Sequence, residues 1–396
     1  MNWITNNNTI IFDSEFNEVP NVELISGFKT IIFSDYELNE KLFWSYTNND
    51  FNGLKYKGSK FDRDVFVYRM TYSDFYGCEF HQEELKLPST LTHLIFGANF
   101  NQKTSTLPPS LTHLIYGSSF NKDVSKLPKS IIYLKFGSSF NQDVSQLPKS
   151  IIYLTFGNKF DNGIFKLPST ITYLTFGHNF DQDVFNLPST LTHLTFGMSF
   201  DKDISKLPST LTHLTLGHYF NQDVFNLPSI LTHLIFGHSF NKDVSFLPPT
   251  LTLLIFGSNF NQDISKLPQG ITYLKLDRMF NRKNNIPLNI KYLKLNSNNS
   301  HIINNLPNSI VELELDCNFN LEINNLPTSI KKIVITKNGK FNADLNCLPY
   351  FVEELQLNKS YGKPILYIPS NLKKLICHCD YAYKDNFVNY DVQTYT

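Results

Sequence analysis

LPSTLTHLTFGMSFDKDISK, residues 187–206, is a unit that recurs nine times between Leu87 and Lys266 with small edits and no insertion or deletion. A period of 20 residues is too short for any one unit to bury a core of its own, so neighbouring units must stack and share one. The unit therefore decides the fold class, a repeat solenoid built mainly of β-strands. Each unit is one coil.

Leu-Pro or Ile-Pro openings continue the count outward from this stretch. They recur every 20 residues from Leu87 to Leu267 and then at Ile286, Leu306, Leu326, Leu348 and Ile368, fifteen openings in all. Stacked coils contact only their neighbours, so a chain of 396 residues need not split into several globular domains. The pattern divides the chain into degenerate coils and an N-terminal cap over 1–86, regular units over 87–285, divergent ones over 286–377 and a C-terminal cap or tail over 378–396. Echoes of the unit at 54–65 and 77–80, with Trp3 and Trp44, suit a cap that must shield an open sheet edge.

Within 187–206 the apolar positions are Leu187, Leu191, Leu194, Phe196, Phe200 and Ile204. Their spacing predicts a short strand over Thr192–Phe196, with Leu194 and Phe196 inward and His193 and Thr195 outward. Pro188 cannot donate to a ladder and places LPST at a corner, while Gly197 is expected to permit a tight departure from the strand. Two rows of phenylalanine, at the positions of Phe196 and Phe200, account for much of the 35 in the chain and read as core. An Asn or Asp follows the second Phe in every regular coil, from Asn101 to Asn281, and reads as a ladder that supplies partners to backbone groups at the turn.

The order Leu-x-x-Leu-x-Phe, a turn, an Asx corner and Leu-Pro looks like a leucine-rich repeat shortened to 20 residues. More closely, the tandem LPxSLxxLxFGxxFNxDV resembles the FNIP repeat family, known from social amoebae and from giant viruses of amoebae. The match runs from Leu87 to about Cys377, with Asp277 in place of the usual glycine. It implies a leucine-rich-repeat-like parallel β-sheet, a protein partner and no catalytic residues. Some viral relatives carry an N-terminal F-box, which would make the chain a substrate-recognition subunit of a ubiquitin ligase; no F-box pattern is legible in residues 1–86.

Charge is balanced, 35 Lys plus Arg against 35 Asp plus Glu, which removes the basic footprint of a nucleic-acid binder. The start MNWITNNNTIIFDSEF is not a signal peptide, and no 18-residue apolar window occurs. The five cysteines, Cys78, Cys317, Cys347, Cys377 and Cys379, are an odd and scattered set. A cytoplasmic protein, within the host cell if it is viral, with free thiols and no membrane association is expected. No phosphate loop, nucleophile elbow or metalloprotease helix is present, so neither an enzyme nor a cofactor is expected.

The outward position of the strand carries a row of rings: His93, His113, Tyr133, Tyr153, Tyr173, His193, His213, His233, Tyr273 and Tyr292, interrupted by Leu253. Beside it runs a largely uncharged row that includes Ile95, Thr155, Thr175 and Thr195. Tyrosine anchors on an uncharged face suit a protein partner, a host protein if the viral resemblance holds. A glycan-binding module is the rival reading, because a Tyr row can stack sugar rings. Stacking between like rings also stabilises a sheet with no partner at all.

His178, His218 and His238 lie just past the strands, but a ladder presents ligands in rows where zinc needs convergence, so no metal site is expected. Asp123, Asp143, Asp183, Asp203, Asp223, Asp243 and Asp263 form an acidic row without the glycine-rich unit of calcium-binding β-rolls. Towards the C-terminus Glu312, Lys332, Glu354 and Lys374 alternate in sign coil by coil, a pattern that favours correct register.

Overall fold

The structure is a computed structural model that describes residues 87, 89–96, 100–104 and 106–396, with the backbone of 3–6, 9–12, 30–33 and 67–68. The degenerate coils expected at 54–65 and 77–80, and Trp44, lie outside the described residues. The chain divides into two compact units, Met1–Gly197 and Met198–Thr396.

The first unit contains β1 (Trp3–Asn6), β2 (Thr9–Phe12), β3 (Thr30–Phe33), β4 (Val67–Tyr68), β5 (His93–Phe96), β6 (His113–Ile115), β7 (Tyr133–Lys135), β8 (Tyr153–Thr155), β9 (Tyr173–Thr175) and β10 (His193–Thr195). β1 is antiparallel to β2, and the later described pairings in the unit are parallel. From β5 onward the register is one coil to the residue: His93 faces His113, which faces Tyr133, then Tyr153, Tyr173 and His193. The strand is three residues in most coils, shorter than the spacing predicts, because the coil bends into its corner at both ends. Ladder bonding nevertheless extends past it: the Thr192 amide donates to the Thr172 carbonyl at 2.9 Å, and the Phe176 amide to the Thr195 carbonyl at 2.9 Å.

The core is the apolar set named by the repeat. Leu191, Leu194, Phe196 and their counterparts are buried in every described coil. In the first phenylalanine row, rings of successive coils stack at 5.6–5.8 Å between Phe136, Phe156, Phe176 and Phe196. The second row, Phe100 to Phe180, stacks at 6.0–6.1 Å. Tyr116 substitutes in the first row, and its buried hydroxyl pairs with Thr104 Oγ1 at 2.7 Å. Burial pushes the Tyr116 phenol well above the usual tyrosine range.

Two polar ladders and a row of glycines hold the corners. The amide of each Asx residue donates to Oδ1 of the Asx one coil earlier, Asn121 to Asn101, Asn141 to Asn121, Asp161 to Asn141 and Asp181 to Asp161, at 2.9–3.0 Å. The hydroxyl at the fourth position of the unit, in Ser110, Ser130, Ser150, Thr170 and Thr190, donates to a carbonyl 19 residues back at 2.6–2.8 Å. This second ladder gives LPST its purpose: backbone groups of a proline corner that no strand can satisfy are satisfied by side chains. The glycine row serves close approach of coils. A Cβ on Gly157 would stand 1.8 Å from the Gly137 carbonyl oxygen, so only glycine lets the coils come together.

The second unit contains β11 (His213–Thr215), β12 (His233–Ile235), β13 (Leu253–Ile255), β14 (Tyr273–Leu276), β15 (Tyr292–Leu295), α1 (Ser300–Asn304), β16 (Glu312–Leu315), β17 (Lys332–Ile335), β18 (Glu354–Gln356), β19 (Lys374–His378) and β20 (Asp391–Tyr395). Its described strand pairings are all parallel. The Asx ladder recurs from Asp201 to Asn281 at 2.8–3.1 Å. Where Asp277 replaces glycine, the corner becomes polar: Asn296 Nδ2 donates to Asp277 Oδ1 at 2.6 Å, and Asn299 Oδ1 caps α1 by accepting from the Ile302 backbone N–H. The charge rows pair as their alternation requires. Lys332 lies 3.2 Å from Glu312 and 4.0 Å from Glu354, and Lys294 bridges Glu314 at 2.7 Å and Asp316 at 3.1 Å. At the C-terminal end β20 lies beside β19, with Tyr381 and Phe387 buried. Among the described residues no helix is long and apolar enough to cross a membrane.

Candidate functional site

Register brings the outward rings of the first unit into one row. His93 and His113 stack at 4.0 Å and 11°, His113 and Tyr133 at 5.7 Å, Tyr133 and Tyr153 at 6.1 Å with a 36° tilt, Tyr153 and Tyr173 at 4.5 Å, and Tyr173 and His193 at 4.2 Å. The six rings thus form one continuous row, stacked at every step except the tilted Tyr133–Tyr153 pair, and Tyr153 and Tyr173 are the most open, 37% and 36% exposed. Alternation along each strand produces this: the leucine between ring and flanking residue points into the core, and the ring has nowhere to go but out. The flanking row adds one charge in this unit, Lys135, among Ile95, Ile115, Thr155, Thr175 and Thr195.

The second unit divides the rest of the row. His213 and His233 stack at 4.1 Å, Leu253 follows, and Tyr273 then pairs in register with Tyr292. Tyr292 is 44% exposed, and Tyr273 stands near the Lys294, Glu314 and Asp316 cluster, its phenol raised first by burial and then by Glu314. The neutral aromatic character is therefore clearest in the first unit.

A threonine precedes each histidine of the row and fixes its ring. Thr112 Oγ1 donates to the Thr92 carbonyl at 3.0 Å and lies 2.9 Å from His113 Nδ1; Thr192 and Thr232 repeat the pattern for His193 and His233. A hydroxyl has one proton, and here it is committed to the carbonyl, so the neutral imidazole must donate from Nδ1 and carry its lone pair on Nε2. Protonation of His93 and His113 is disfavoured. Burial, and then the neighbouring His113, lower His93 to about 4, and burial lowers His113.

The other candidate rows have structural roles. Asp123 Oδ1 accepts from the Ser125 amide at 3.0 Å and Oδ2 from the Ser125 hydroxyl at 2.8 Å; Asp143, Asp203, Asp243 and Asp263 cap the same turn. Those serine bonds hold the carboxyls below the usual aspartate range. His218 and His238 stack at 4.6 Å. Among the described residues, the row histidines belong to no group of three close metal-ligating side chains.

One surface escaped the sequence reading. Phe165, 76% exposed, and Phe185 stand where other coils carry the turn serine, and Phe165 edges a shallow groove with Asp143, Val144, Ser145, Gly163 and Lys166. Phe225 and Phe246 meet edge to face in the second unit, 5.7 Å apart. The break from serine to phenylalanine at a fixed repeat position was the available signal.

The FNIP Repeat family model matches residues 81–119, 120–159, 162–199, 184–219, 200–239, 220–259, 243–278 and 282–318, over half of the chain. The chain belongs to the FNIP repeat family. Among solved structures, the giant-virus protein CroV588, described as a novel circular LRR protein structure, is 34% identical with a TM-score of 0.68, over 93% of this chain and 53% of that one. This FNIP repeat chain thus spans about half the length of that relative. Weaker likenesses are the functional domain of InlJ from Listeria monocytogenes, 16% identical with a TM-score of 0.47 over 74% of this chain and 69% of that one, and YopM from Yersinia enterocolitica, 21% identical with a TM-score of 0.45 over 74% and 70%. No curated protein matches the chain.

Proposed function

We propose that this FNIP repeat protein is a non-catalytic recognition scaffold that binds a protein partner through the outward strand face of its first unit, His93, His113, Tyr133, Tyr153, Tyr173 and His193. The observation that carries the reading is the continuous ring row itself, open at the stacked Tyr153 and Tyr173 and flanked mainly by threonine and isoleucine. Repeat solenoids commonly bind across such extended faces, and pre-stacked tyrosines lose little conformational freedom when a partner covers them. In the second unit, His213, His233, Tyr273 and Tyr292 present the same position with more charge around it and would contribute specificity there. Residues 1–86 and 378–396 are the end caps in this reading, and a giant-virus relative makes a host cytoplasmic protein the first class of partner to test.

Protein is favoured over glycan by ring orientation. Rings stacked on one another cover their own faces and leave edges, hydroxyls and imidazole acceptors outward, whereas a sugar needs an open face. A pull-down from host lysate comparing wild type with the Tyr133→Ser, Tyr153→Ser and Tyr173→Ser triple variant tests this. A partner retained only by the wild type supports the reading, provided both chains give the same β-rich circular dichroism. Equal capture by both returns the stack to sheet stabilisation.

A further inference from the structure

The final coil ends in a turn that gathers three metal-ligating side chains. Cys379 Sγ lies 3.9 Å from His378 Nδ1 and 3.6 Å from Asp380 Oδ1, and His378 Nδ1 lies 3.4 Å from Asp380 Oδ2. In a tetrahedral zinc site the bond lengths to sulfur, nitrogen and oxygen place neighbouring ligand atoms about 3.3 to 3.6 Å apart. The His378–Cys379 distance and the two distances to Asp380, one to each carboxylate oxygen, come within about 0.3 Å of these separations, and with one oxygen serving both neighbours the three ligand atoms lie within 4.8 Å of one another before any adjustment to an ion. We propose that His378, Cys379 and Asp380 form a tridentate site for a zinc-type divalent cation, with the fourth position open to water or to a partner's side chain.

The surroundings hold the three residues in place. His378 is buried, and its ring meets Tyr395 of β20 edge to face at 5.5 Å. Tyr395 in turn anchors its hydroxyl on the Leu357 carbonyl at 2.9 Å, and Lys384 Nζ bonds the Cys379 carbonyl. The Asp380 side chain is largely exposed and so has room to reorient toward an ion. His378 occupies the corner that carries glycine in regular coils and Asp277, Asn296, Asp316, Thr336 and Asn358 in the later ones. Asn296 bonds Asp277, and Thr336 bonds Asp316, one coil back. His378 Nδ1 instead accepts a long bond from the Asp380 amide, 3.2 Å, within its own turn, which coordination would replace. At the same repeat position one coil earlier, the buried Oδ1 of Asn358 has no hydrogen-bond partner. One thiolate, one imidazole and one carboxylate suit zinc or cobalt and not the all-oxygen preference of calcium and magnesium.

The test is titration of the reduced, chelator-treated full chain with Co²⁺, a spectroscopic stand-in for zinc. One equivalent should bind with a thiolate-to-cobalt charge-transfer band that zinc then bleaches. Cys379→Ser should abolish the band, Asp380→Asn should weaken binding by at least about tenfold, and Cys347→Ser on another coil should change neither. Both turn substitutions are at exposed or half-exposed positions, and circular dichroism checks that each chain is folded. No charge-transfer band in the wild type, or a band that survives Cys379→Ser, would overturn the assignment.

Discussion

Acid should loosen the first unit at its stacked imidazoles. In the unfolded chain His93 takes a proton near 6.5, whereas in the fold burial and then His113 hold it to about 4. Between those values the unfolded state binds more protons, so stability is complete above about 6.5 and declines as the pH falls towards 4. The full linkage between pH 7.5 and 5.5 amounts to about 1.3 kcal/mol, and the ring's remaining contact with water reduces this to roughly 1 kcal/mol. Amide hydrogen exchange at β5 and β6 reads the local opening that a global melt of a solenoid would blur. Exchange there should quicken about fivefold on acidification beyond its intrinsic pH dependence, and a His93→Gln variant should lose most of that response. A His93 ring that titrates near 6.5 by NMR, or β5 protection unchanged between the two pH values, would refute the reasoning.

Other consequences concern the ladders. Gly157→Ala puts a Cβ 1.8 Å from a backbone carbonyl oxygen that cannot swing away, so it should cost more than about 3 kcal/mol in urea unfolding. Gly362→Ala, with nothing within 4 Å, should stay within about 0.5 kcal/mol. Tyr116→Phe strands the buried Thr104 hydroxyl and should cost about 1 to 2 kcal/mol, seen as a lowered thermal midpoint. Lys332→Glu sets like charges against Glu312 and Glu354 and should destabilise by up to about 1 kcal/mol, a loss that added salt reduces.

The period and the phenylalanine rows were legible because a 20-residue repeat repeats its environment, and buried positions can be read by superposing coils. The Asx ladder was legible for the same reason. What the glycine does was not: a tight departure and a close approach demand the same residue, and only the distance from Gly157 to the Gly137 carbonyl separates them. The hydroxyl ladder hid in LPST because a Ser or Thr two residues after proline reads as turn chemistry whether its bond goes to its own turn or to the coil before. α1 replaces a phenylalanine turn in a coil with no Phe to mark it, and its signal was the Asn299 cap. The ring row was found by alternation, but whether a partner covers it is a property of another molecule and leaves no periodicity. The His378 cluster was invisible because it depends on β20 returning to pack against a single, unrepeated turn.

The central claim places recognition on the strand face of the first unit. A photo-crosslinking residue at Thr155, beside Tyr153 and Tyr173, compared with one at Asp143 on the corner, tests it in the presence of the captured partner. A crosslinked adduct is expected from position 155 and none from position 143. Adducts from the corner alone would contradict it and move recognition to the surface around Phe165.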